Sequence, residues 1–113
     1  MSGIKNATLQ SGAAIGNSLG VNTIVAQIVD PGIGRWEVSG RVRHTLEDGC
    51  KLIIGAANVL PRIPQGPNQS ADFGPIVFDI TSATADIQIQ LATATGATDT
   101  ASGILIARRL DTE

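Results

Sequence analysis

The sequence predicts an all-β domain, an antiparallel sandwich of about six to eight strands. Three observations carry that prediction. Short stretches alternate apolar and polar side chains, the period that sends successive residues to opposite faces of a strand. Turn residues such as Pro31-Gly32 and Asp48-Gly49 punctuate them at hairpin spacing. And no stretch of about ten residues or more shows an apolar stripe at helical spacing.

The clearest alternation runs from Trp36. Trp36, Val38, Gly40, Val42, His44 and Leu46 share one side, and Glu37, Ser39, Arg41, Arg43 and Thr45 the other. This is the strand around which the rest is expected to assemble, anchored by the single Trp of the chain. Before it, residues 1–18 are small and polar, rich in Ser, Gly, Ala and Asn. They predict a flexible arm or a weak first strand carrying Leu9 and Ile15, ahead of one domain over 19–113. Val21–Val29 is a nearly continuous β-branched run, which predicts a strand covered on both faces or joined to an oligomer interface.

After the organising strand, Asp48-Gly49 predicts a tight hairpin with Lys51–Ala57 as its partner. Asn58–Gly74 holds Pro61, Pro64, Gly66 and Pro67 and predicts a long loop, the kind of segment that usually contacts a partner. Pro75–Thr81 gives a strand with Ile76, Phe78 and Ile80 on one face. Asp86–Leu91 follows with Ile87, Ile89 and Leu91 inward, and Gly103–Leu110 closes the domain after a loop of small residues.

Composition bounds the function. At 113 residues the chain is one domain able to bury roughly two thirds of its unfolded surface. Apolar residues make up 42%, yet two Phe and one Trp supply all the aromatic bulk, so Ile, Val, Leu and Ala must build the core. Charged residues reach 16% with a formal net of −2, and no basic block exists to neutralise phosphates. Nucleic acid is therefore not an expected partner. No apolar run is long enough to span a membrane as a helix, and the first residues lack the apolar core of a signal peptide. The expectation is a protein made in a cytoplasm and not exported by that route.

Catalysis is hard to assemble from these residues. His44 is the one histidine, and its parity puts it on the Trp36 face as a strand residue rather than a ligand. Cys50, also alone, opens an apolar run and reads as a buried inert thiol. Asp72-Phe73-Gly74 spells a kinase tripeptide without any of its companions. No catalytic, metal or cofactor site is expected. Arg35, Arg41 and Arg43 share the outer face of the organising strand, which is either a solvated face or a docking surface for an acidic protein.

The order of motifs resembles a jelly roll of the C1q/TNF-like class. Pro31-Gly32 followed by Gly34-Arg35-Trp36-Glu37-Val38 is similar to the Pro-Gly turn and aromatic strand of that class. Asp86–Leu91 and Ser102-Gly103-Ile104-Leu105 resemble its later strands. Animal members are secreted and aromatic-rich, and this chain is neither. In size and composition it looks more like the cement or decoration proteins of tailed bacteriophages. That resemblance implies a non-enzymatic virion protein on the capsid surface, bound to the major capsid protein and to itself as a homodimer or homotrimer. The alternative it leaves is a ligand-binding head or carbohydrate-binding domain of a phage tail or fibre. The residues expected to meet a partner are Leu9 and Ile15 of the arm, Pro61, Arg62 and Pro64 of the loop, and the Arg35/Arg41/Arg43 face.

Overall fold

The computed structural model describes residues 10–15 and 18–110. Among them are eight strands and no helix: β1 (Gln10–Ile15), β2 (Ile24–Ile28), β3 (Gly34–His44), β4 (Cys50–Ile54), β5 (Ala57–Leu60), β6 (Gln69–Ile80), β7 (Ile87–Leu91) and β8 (Ala101–Arg109). They form two antiparallel four-stranded sheets, ordered β1-β8-β3-β6 and β2-β7-β4-β5. The pairs β1·β8, β2·β7, β3·β6 and β4·β5 nest inside one another, as if one long hairpin had been rolled up. The β3·β8 and β4·β7 ladders then close each sheet. That nested order is a jelly roll.

The alternation read from the sequence sets the core. Trp36, Val38, Val42 and His44 of β3 face inward, against Cys50, Leu52 and Ile54 of β4 and Ile87, Ile89 and Leu91 of β7. Trp36 is 1% exposed, and its indole Nε1 donates to the Gly32 carbonyl at 3.0 Å, so the Pro-Gly turn both opens β3 and satisfies its largest side chain. In β8, Ala101, Leu105 and Ala107 are buried with the small Gly103 between them.

A bulge in the β3·β6 ladder explains a break in the parity of β6. Val38 faces Ile76 and Gly40 faces Phe73, so β6 carries an extra residue there. Gly74 occupies it at φ +84°, ahead of the cis Gly74–Pro75 peptide. Phe73 thereby turns into the core although Ile76, Phe78 and Ile80 have the opposite parity. Its ring covers Gly40, where an added Cβ would stand 2.8 Å from the ring atoms.

Three expectations change. The expected hairpin between the organising strand and Lys51–Ala57 is absent: β4 pairs with β5 and β7 in the opposite sheet. Asp48-Gly49 is a corner between sheets: Thr45 N–H still donates to the Thr100 carbonyl at 3.1 Å, continuing the β3·β8 ladder, whereas Asp48 N–H donates to the Gln65 carbonyl of the 61–68 loop at 2.9 Å. The loop expected over Asn58–Gly74 shrinks to 61–68, since β5 runs to Leu60 and β6 begins at Gln69. The polar start of β6 is held by its ladder to β3, not by apolar patterning, and so carries no apolar signature. Val21–Val29 is not covered on both faces: β2 is an edge strand, with Val21 and Val29 half exposed beyond its ends. A register shift between Ile24 and Ala26 buries Val25 and Ala26 together, which is why the run looked two-sided. In the arm, Gln10–Ile15 takes the strand alternative, while Leu9 lies outside the described residues.

Candidate interaction surface

Outward-facing residues of β3, β6 and β8 form one continuous sheet face. Cross-strand neighbours pair charge with charge on it. Arg35 Nε donates to Asp79 Oδ1 at 3.0 Å, Arg41 Nε to Asp72 Oδ1 at 2.7 Å, and Arg108 lies 3.3 Å from Glu37. The Asp72 carboxyl is held below its ordinary range by its bond to Arg41, and the Arg41 guanidinium is raised in turn. Arg43 donates to the Asn68 side chain at 3.1 Å. The expected arginine row is thus real, but cross-strand aspartates answer Arg35 and Arg41.

Between these pairs lies an apolar strip. Val77, Ile104 and Ile106 are 55%, 37% and 49% exposed and neighbour Glu37, Arg41 and Ser39 in the ladders. Around the Gly74 bulge the face dips into a depression of about 400 Å³, lined by Ser39, Gly40, Phe73, Gly74, Ile104 and Ile106 with Arg41 and Asp72. An apolar centre with a polar rim is the anatomy of a protein–protein contact. Sequence reading passed over Ile104 and Ile106. Their signal is an apolar run at both parities in β8, which alternation assigns half to the core and half to the outside.

The second surface is the 61–68 loop, at the end of the sandwich where β3 finishes. Alternate residues pin it inward. Ile63 is fully buried and its N–H donates to the Cys50 carbonyl at 2.8 Å. Gln65 is buried too, its side-chain amide donating to the His44 carbonyl at 2.9 Å and its N–H to Asp48 Oδ1 at 2.8 Å. Pro61, Arg62 and Pro64 therefore point to solvent from an ordered backbone, with Arg62 clamped to the Asp48 carbonyl and Thr93 Oγ1. Arg41 and Arg43 lie on the half of the sheet face nearer this loop. Arg35 sits eight residues away along β3, about 26 Å at strand rise.

Among the described residues no group of three His, Cys, Asp or Glu is placed to hold a metal ion. His44 is fully buried, its Nδ1 accepting from Leu46 N–H at 2.8 Å, which fixes the proton of the neutral ring on Nε2. Nε2 has no hydrogen-bond partner. Burial lowers the His44 pKa, opposed by the Asp99 carboxylate and, more weakly, by the Thr93 backbone. Cys50 is likewise buried, and desolvation pushes its thiol up to about 11.

One solved structure shares this architecture almost end to end. It is a chain of the "Cyanophage Pam1 capsid asymmetric unit". The superposition has a TM-score of 0.57 and covers 97% of this chain and 86% of that one, at 12% sequence identity. At that identity the likeness speaks for the fold alone. No protein-family model and no curated protein matches the sequence. The jelly roll shared with the Pam1 chain leaves function to the surfaces.

Proposed function

We propose that the protein is a non-enzymatic structural component of a bacteriophage particle, a cement or decoration protein seated on the head shell. The observation that carries this reading is the likeness of fold, over nearly the whole of both chains, to a protein of the cyanophage Pam1 capsid asymmetric unit. The surfaces support it. A pinned loop presenting Pro61, Arg62 and Pro64 loses little conformational entropy on docking, which favours a shape-matched contact with the major capsid protein. The segment 1–18, with Leu9 and Ile15, is the second contact we assign to the shell, and the Arg35/Arg41/Arg43 face is the one we assign to contacts between copies. Repetition over a shell turns weak single contacts into firm attachment.

The alternative of a C1q/TNF-like ligand head or a sugar-binding tail domain has one observation in its favour, the depression at Gly40 and Gly74. Against the sugar version, Trp36 is buried and offers no ring to stack on a pyranose. The test is a titration of the purified protein onto heads of the phage whose genome encodes it, assembled without the gene. Saturation at a fixed copy number per capsomer, with loaded heads surviving higher temperature than bare ones, is the expected result. Bare heads that bind none of the protein would sink the proposal.

A further inference from the structure

The outer face of the β1-β8-β3-β6 sheet carries three properties that together specify its occupant. Its apolar side chains Val77, Ile104 and Ile106 protrude, and Ile104 and Ile106 border a hollow that Gly40 and Gly74 also line, so a ridge and a groove lie next to each other on one surface. An isologous contact between copies requires just this, because the same patch must supply both the inserted side chain and its receptor. Six of its charges are matched within the chain, Arg35 with Asp79, Arg41 with Asp72 and Arg108 with Glu37, while Arg43 at the end nearest the 61–68 loop bonds the neutral Asn68 side chain. A partner of one strong sign would meet its like charge in every pair. A second copy would find a surface close to neutral, and no charge would lose its partner on burial. The other exposed large apolar residues among those described, Val21, Ile24, Val29 and Ile33, lie in or beside the edge strand β2, away from these ion pairs.

We propose that a second copy of this chain docks on this face about a two-fold axis, each Ile106 entering the Gly40–Gly74 depression of the other. The contact stands whether or not the protein binds a head shell. It leaves the 61–68 loop at the sandwich end of each copy free, so a dimer would present two such loops.

Light scattering over a dilution series tests this on the unmodified chain, with Ile106→Glu and Val29→Asp alongside. The expected masses are twice the 11.6 kDa chain for the wild type and Val29→Asp, and a single chain for Ile106→Glu, whose thermal midpoint should match that of the wild type diluted to monomer. Methyl NMR of the wild type over the same dilution gives a readout that needs no variant to fold: Val77, Ile104 and Ile106 should shift with concentration, and Val29 and Ile33 should not. A wild type that is monomeric throughout overturns the proposal. So does a trimer, or an association that moves Val29 and Ile33 instead. A wild-type monomer that still saturates heads would remove the dimer and leave the shell reading intact.

Discussion

Gly49 lies flat against the imidazole of His44, so close that a Cβ built on it would overlap the ring, standing 2.7 Å from Nδ1. The corner between the two sheets is packed backbone against ring, with no room for a methyl group. Neither partner can retreat, since His44 is fully buried and its Nδ1 is tied to Leu46 N–H. Gly49→Ala is therefore expected to destabilise the fold by about 1–3 kcal/mol, the range for overpacking a closed site. Urea denaturation measures it. An alanine variant as stable as the wild type would mean that the corner yields.

The same ring gives the fold an acid limit. His44 is neutral in the folded state, with its pKa lowered chiefly by burial, whereas in the unfolded chain it titrates near the ordinary value of about 6.5. Between the two values the unfolded chain binds the extra proton, so stability is fully present above about pH 6.5 and falls as the pH drops towards the folded pKa. The slope cannot exceed about 1.4 kcal/mol per pH unit from one proton. Denaturation midpoints measured from about pH 7.5 down to 5 should show the fall, and His44→Leu should flatten it. A wild-type stability that is level through that window would contradict the buried neutral imidazole.

Cys50 reports on the core opening. With its thiol pushed up to about 11 and its side chain buried, it presents almost no thiolate at neutral pH. An aromatic disulfide reagent should label it only as the chain unfolds, at a rate that rises steeply with urea. Prompt stoichiometric labelling without denaturant would show that β4 is exposed in solution.

How far the sequence foretold this fold depended on whether alternation was the cause of each strand. β3 and β7 are held by one apolar and one polar face, and their inward residues, Trp36 to His44 and Ile87 to Leu91, were legible as such. The first half of β6 is held by pairing of Gln69–Asp72 with Arg41–His44, a property of two distant segments that no local window contains, so it looked like loop. The Asp48-Gly49 turn was visible as a turn, but whether it joins neighbours in one sheet or crosses to the other is decided by β5 and β7 competing for β4. For the candidate surface, the arginine row followed from parity alone. Its near-neutrality did not, because Asp72 and Asp79 reach it only through a ladder whose register the Gly74 bulge resets.

That bulge makes Asp72 a test of how the face is balanced. Asp72 and Arg41 are both largely exposed, and such pairs contribute little to stability, so Asp72→Asn should leave the stability of the single chain where it is. What it changes is the field: Arg41 loses its 2.7 Å partner, and the face gains net positive charge next to the hollow that receives Ile106. Two copies brought together would then set unmatched arginines against each other. The expected result is weaker self-association of Asp72→Asn at low ionic strength, recovering towards wild type as salt screens the repulsion over the Debye length of about 10 Å at 0.1 M. The wild type, with Arg35, Arg41 and Arg108 matched inside each chain, should show a much weaker salt dependence. Sedimentation equilibrium of both proteins over a salt series reads the difference, and a variant that associates like the wild type at every salt concentration would place the contact away from this face.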